Sequence, residues 1–285
     1  IVDLLNKDIF KEKFDQLFEL KKNTLQKLYR QRITLNKTAI FNTYVRYGQR
    51  LKPYVGDVSL EVNQALKAGK RILFEGAQGT LLDNDHGAYP HTTSSNTIAG
   101  AVCTGVGIGP TKIDEIIGVV KAYLSRVGSG PVPTEAKGAL GDYLRERGQE
   151  YGTTTGRPRR CGWVDLVQLR YAARINGLTS MAITKIDILG GLKKIPVAIK
   201  YKYKSSYITE LPADLEVTRH CKPVYRELAG WKNLTDDDFT TILKHGYKAL
   251  PNKMKEYMKF IADQVETPIS LVSVGAERKS TIQVP

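Results

Sequence analysis

Thr184-Lys185-Ile186-Asp187 follows directly on the apolar run Met181-Ala182-Ile183, so a lysine and a carboxylate stand where a buried strand ends. A carboxylate fixed there can accept hydrogen bonds from both N1–H and the 2-amino group of guanine, while the lysine stem lies along the ring. Adenine offers a lone pair at N1 and no 2-amino group, so a dry site of this kind would reject it. A guanine nucleotide is the chemistry this spacing suggests; a solvated Lys-x-Asp at a strand end is the plainer alternative. The loop Thr153 to Arg160 crowds three threonines, Gly156, Pro158 and the arginines Arg157, Arg159 and Arg160 into eight positions. Guanidinium groups fork onto phosphate or carboxylate, and three so close together repel one another unless an anion joins them. An RNA-binding arginine loop is the rival reading of the same residues. Phe74-Glu75-Gly76-Ala77-Gln78-Gly79-Thr80 adds glycines for close backbone approach and an amide able to read a purine carbonyl.

Other groups carry less. Asp83-Asn84-Asp85-His86 has the residue types of a metal site but no matching second cluster, so bonds from its side chains to the loop backbone are the preferred reading. His91, His220 and His245 lack companions for a triad. Gly105-Val106-Gly107-Ile108-Gly109 lacks the further glycine of a dinucleotide fingerprint, and no G-x-x-x-x-G-K-[ST] phosphate loop occurs. Cys103, Cys161 and Cys221 are too scattered for a zinc or disulfide framework.

These groups need a scaffold, and the hydrophobic pattern supplies one. Phe10, Phe14, Leu17, Phe18, Leu25 and Leu28, then Leu51, Val55, Val58, Val62 and Leu66, predict a helical layer over residues 1–68. Ile72-Leu73-Phe74 predicts a buried strand, and a long Gly/Ser/Thr/Asn-rich loop follows to about Gly109, a length unusual unless the loop binds something. Residues 113–127 read as helix or strand leading to a turn at Gly128–Pro131. Helices are predicted near 140–148, 164–175 and 253–264, with strands at 181–183 and 269–274. A hairpin over 197–208 turns at Ser205-Ser206. The fold class is α/β, a mixed central sheet flanked by helices with an all-helical subdomain at the start, divided as 1–68, 69–117 and 118–285. The composition is that of a globular protein, and no stretch approaches the length of a membrane span, from which a cytoplasmic location is expected. With 43 Lys+Arg against 29 Asp+Glu the formal charge of +14 favours anionic partners, either nucleic acid or small phosphorylated metabolites.

Five segments, FEGAQGTLLDNDHGAYPHTTSSN (74–96), KAYLSRVGSGPVPTE (121–135), YGTTTGRPRRCGWVD (151–165), ITKIDILGGL (183–192) and SVGAERKSTI (273–282), closely resemble adenylosuccinate synthetases in order and spacing. The resemblance implies a P-loop-NTPase-like synthetase fold and a GTP-dependent ligation of L-aspartate to inosine monophosphate (IMP) through a 6-phosphoryl intermediate. It implies a cytoplasmic homodimer with small-molecule substrates and no nucleic acid. Carried over by position, it assigns Gln78 to the 6-oxygen, with Thr93, Val127 and Arg157 also at IMP. Thr153, Thr154, Thr155, Gly156, Arg157, Pro158 and Arg159 would clamp aspartate. Arg159, Lys185, Ile186, Asp187, Ser273, Val274 and Gly275 would hold GTP. The family's phosphate loop, catalytic base and acid, and the ligands of Mg2+, are expected before Ile1, which leaves no metal ligand here and predicts that the chain alone is inactive. At Ala276-Glu277 the terminal segment departs from the proline common in the family.

Overall fold

The computed structural model describes residues 1–153 and 156–285, and the chain divides into two compact units, 1–72 and 73–285. The first is helical: α1 (Val2–Leu5), α2 (Lys7–Asn23), α3 (Lys37–Leu51) and α4 (Val58–Lys67). Asn6, Asn36 and Asp57 cap the last three by accepting backbone N–H groups at their starts. An aromatic seam closes α2 on α3, with Phe10 stacked 5.2 Å from Phe41 and Phe14 5.7 Å from it. Leu51 to Leu66 is therefore not one helix: Pro53 stands just past α3, and α4 starts afresh at its Asp57 cap.

The second unit is α/β. Its main sheet runs in the order β1 (Ile117–Lys121), β4 (Ser180–Thr184), β8 (Ile269–Ser273), β9 (Thr281–Gln283). The first three are parallel and β9 is antiparallel, making the sheet mixed. The strand predicted at 181–183 is the buried β4 at its centre. Residues 113–127 resolve in favour of strands, β1 and the short β2 (Leu124–Arg126), which pairs with β3 (Arg160–Gly162). A third sheet, β5 (Lys194–Tyr203) between β6 (Ser206–Ile208) and β7 (Lys222–Ala229), contains the predicted hairpin, with its turn at Lys204-Ser205. Helices α5 (Ala139–Gly148), α6 (Leu166–Asn176) and α9 (Asn252–Val265) match their periodicity, while α7 (Leu215–His220) and α8 (Asp236–His245) complete the unit. Met181, Ile183, Ile186, Leu189, Tyr257, Ile261 and Val272 are fully buried in the core joining the main sheet to α9. Trp231 meets Tyr257 edge-on at 5.6 Å.

Ile72-Leu73-Phe74 is a correction: the run belongs to no strand, and Leu73 is 89% exposed. A strand exists only by bonding to a neighbour, and among the described residues none lies beside this one.

Candidate functional site

Three parallel strands end together. Lys121 closes β1 opposite Thr184 of β4, and β8 runs out alongside at Ser273. Crevices at the carboxyl ends of such strands are where α/β folds bind ligands. Just past β4, Lys185 adopts left-handed backbone (φ 57°) and turns the chain into a short 3-10 segment, Ile186–Leu189. Ile186 is fully buried and anchors that turn. Asp187, half-buried, receives no hydrogen bond from another side chain among the described residues, and burial raises its carboxyl above the usual range. Beyond β8, Ser273 Oγ donates to Gly275 O at 2.8 Å and Val274 N to Ser280 O at 3.0 Å, so Ser273, Val274 and Gly275 form a tight turn. Gly275 is close-packed, for a Cβ there would lie 3.1 Å from Ser280 Oγ.

The arginine loop is pinned at both ends. Arg159 N donates to Glu150 O and Gly152 N to Arg157 O, each at 2.8 Å, and Tyr151 bridges Pro158. The expectation that three crowded arginines need a ligand anion is corrected, because the protein supplies carboxylates itself. Arg160 forks onto Glu135 (Nε–Oε1 3.0 Å, Nη2–Oε2 2.5 Å), and Arg159 Nη1 reaches Glu150 Oε2 at 2.9 Å. Arg157 remains exposed, as do Thr153, Gly156 and Pro158; Thr154 and Thr155 lie outside the described residues. With two of three guanidinium groups spent internally, the loop is poorly equipped for tracking a polyanion.

Glu150 itself, absent from the sequence reading, is wholly buried and gathers the surroundings. Lys121 Nζ donates to both its oxygens at 2.8 and 2.9 Å, and Tyr123 Oη donates at 2.6 Å. Lys185 Nζ approaches to 3.3 Å and also donates to Gly148 O. Burial opposes ionisation of Glu150, but the bonds from Lys121 and Tyr123 overcome it and hold the carboxyl down at about 2. Gly148 makes room, since a Cβ there would sit 2.1 Å from Tyr123 Oη. The available signal was a single acid beside a basic loop, and a sequence does not say that two distant lysines converge on it together with Arg159.

The long loop has a centre of its own. Asp83, fully buried, accepts from Asp85 N and His86 N at 2.9 Å, Thr97 N at 2.5 Å, Ile98 N at 3.2 Å and Asn96 Nδ2 at 3.2 Å. Its carboxyl drops to about 2 because those backbone bonds outweigh the cost of burial. This is the loop-stabilising role preferred for the Asp83 cluster. Asn176 at the end of α6 holds Thr80 and Ala99, and Tyr171 holds His86. Arg126 Nη2 donates to His91 O at 2.9 Å, tying this loop to β2 and so bringing Thr93 and the exposed Val127 to one neighbourhood. Gln78 is exposed in left-handed backbone (φ 63°). Among the described residues no helix is long and apolar enough to cross a membrane, and no group of three or more His, Cys, Asp or Glu side chains could hold a metal.

Comparison with known proteins gives the arrangement a family. The adenylosuccinate synthetase from Thermodesulfovibrio yellowstonii is 49% identical over 282 residues, which is 99% of this chain and 65% of the relative. That from Gloeobacter violaceus is 49% identical over 284 residues, all of this chain and 63% of the relative. The solved structure of fully ligated adenylosuccinate synthetase from Plasmodium falciparum superposes with a TM-score of 0.87 at 38% identity, covering 99% of this chain and 65% of that one. The chain thus spans just under two thirds of the length of these relatives. The family model for adenylosuccinate synthetase matches residues 1–282, and the chain belongs to that family.

Proposed function

We propose that this chain forms the substrate-holding part of a GTP-dependent ligase that joins L-aspartate to IMP, yielding adenylosuccinate, GDP and phosphate. The observation that carries the reading is the unspent Asp187 carboxylate at the carboxyl end of β4, beside Lys185 and across Glu150 from the arginine loop. Such a carboxylate suits the two N–H donors of guanine, and an arginine loop suits a dicarboxylate and a phosphate.

In the proposed reaction the 6-oxygen of IMP attacks the γ-phosphorus of GTP as the N1 proton is lost, and GDP leaves. The aspartate amine then attacks C6, phosphate departs with the old oxygen, and the nitrogen sheds a proton. An amide-like oxygen leaves poorly until phosphorylated, which is why the nucleotide is consumed. Gln78 would orient the 6-oxygen, Thr93 and Arg157 the monophosphate, and Val127 would border the ribose. Thr153 to Arg159 would clamp the aspartate carboxylates, and Lys185 to Asp187 with Ser273 to Gly275 would enclose the guanine. Catalytic base, acid and magnesium ligands are assigned to the part of the family's length that this chain does not span, and a homodimer in the cytoplasm is the proposed setting.

The test is adenylosuccinate formation, followed by absorbance, by a full-length synthetase containing this chain with IMP, aspartate and either GTP or ATP. Turnover with GTP and little with ATP is expected; turnover with neither, or equal turnover with both, overturns the reading.

A further inference from the structure

Glu150 lies between the two halves of the proposed site and touches Lys185, read as a guanine contact, and Arg159, read as a contact of aspartate that also reaches GTP. Oε1 faces Lys185, from the turn after β4, at 3.3 Å, and Oε2 accepts from Arg159, from the far arm of the arginine loop, at 2.9 Å. Lys121, at the end of β1, spans both oxygens, and Ser125 Oγ accepts from the same ammonium at 2.6 Å. Glu150 belongs to the loop's other arm, because its carbonyl accepts from Arg159 N at 2.8 Å. Three segments distant in sequence therefore share one buried anion. Three cations against one carboxylate also leave a local positive excess, which suits the entry of anionic ligands on both sides.

We propose that Glu150 is a positioning residue that sets Lys185 and Arg159 together, so that the guanine side and the aspartate side of the site are ordered by one carboxylate and bind their substrates interdependently. The proposal rests on the functional reading above. The fully buried position and the ionised state of the carboxyl support it, for a neutral or mobile group would fix neither cation. Freed of Glu150, Lys185 keeps its hydrogen bond to the Gly148 carbonyl but loses its ion pair, and Arg159 loses the carboxylate that, among the described residues, pairs with its guanidinium. Misplacing two binding groups at once should weaken both substrates rather than slow the bound complex.

The experiment is steady-state kinetics of Glu150→Gln in a full-length synthetase containing this chain, with KM measured separately for GTP, aspartate and IMP. About tenfold increases in KM are expected for both GTP and aspartate, with KM for IMP within about twofold. Glu150→Asp, which keeps the charge but withdraws it by one methylene, is expected to give a smaller joint rise, and it carries the test if the glutamine variant does not fold. A purely structural role would lower the melting temperature and the yield of active protein while leaving all three KM values unchanged, and that result overturns the proposal. So does a rise confined to one of the two substrates. An unaltered protein that makes no adenylosuccinate sinks the functional reading and the proposal together, whereas an active one with unshifted variant KM values sinks the proposal alone.

Discussion

Asp165→Asn should stabilise the protein relative to the parent as pH rises from 4 to 6. Asp165 is 4% exposed and sits where the arginine-bearing β3 passes into α6 and touches the third sheet at Ala198. Its Oδ1 caps α6 by accepting Val167 N at 3.1 Å and Gln168 N at 3.2 Å, and its Oδ2 accepts Tyr201 Oη at 2.5 Å. The groups facing it include the hydroxyl of Tyr201, the thiol of Cys221 and the phenol of Tyr225, and Arg170 is a cation acting on it. Burial dominates, and the carboxyl is pushed up from 3.8 to about 6 despite the three hydrogen bonds.

The sign follows from linkage. A carboxyl whose folded pKa is raised keeps its proton longer in the native state than in the unfolded one, so the parent loses stability as pH climbs from the unfolded value near 3.8 through the folded value near 6. A rise of about two units at ~1.36 kcal/mol each amounts to ~3 kcal/mol lost across that window, with a plateau above it. Asparagine retains an oxygen for the helix cap but presents an amide donor to Tyr201, whose hydroxyl loses its acceptor; that cost is the same at every pH, so the variant starts lower yet escapes the pH-dependent loss. Urea unfolding of both proteins at half-unit steps from pH 4 to 7.5 measures the difference. A parent-to-variant difference that stays flat across the window, or that moves in the parent's favour, would refute the reasoning.

Further predictions concern substrates and the long loop. Asp187→Asn should raise KM for GTP roughly 10²- to 10⁴-fold, since two hydrogen bonds to a charged acceptor at ~1.5–3 kcal/mol each are at stake, and should favour xanthosine triphosphate relative to GTP; competition kinetics with the two nucleotides decides. Arg157→Ala should raise KM for IMP on the order of 10- to 100-fold through loss of an ionic contact of ~1.5–3 kcal/mol, and an unchanged KM removes Arg157 from that site. Asp83→Asn would aim an amide donor at one of two pairs of backbone N–H groups that now converge on separate carboxylate oxygens, so thermal unfolding should show a loss of ~3 kcal/mol or more.

How much of this was legible in the sequence depends on whether the signal is local. The lysine and aspartate after β4 could be placed because an apolar run and the residues that follow it lie side by side in the chain, and α5, α6 and α9 announce themselves by periodicity. The capping box of α8, Thr235 with Asp238, was equally local and readable, though the sequence reading passed over it. β7 was harder, because only three of its eight residues are even half-buried and a partly exposed partner strand has little hydrophobic pattern to show. The strand expected at 72–74 failed for a related reason: an apolar triplet states an affinity for a sheet, while pairing requires a second segment that the triplet cannot specify. The arginine loop illustrates the opposite error, where a correct premise about repulsion led outward to a ligand although Glu135 and Glu150 lay within the fold. Glu135 is 25 residues from Arg160, and Lys121 and Lys185 are 29 and 35 residues from Glu150. Charge compensation is settled by tertiary distance, so a sequence reveals which charges need partners without revealing whether the fold or a substrate provides them. That distinction bears on function here: Arg159 and Arg160 are already paired, whereas Arg157 and Asp187 make no side-chain ion pair among the described residues, Asp187 feeling Arg147 and Lys185 only at longer range, and these two have most to gain from a bound nucleotide.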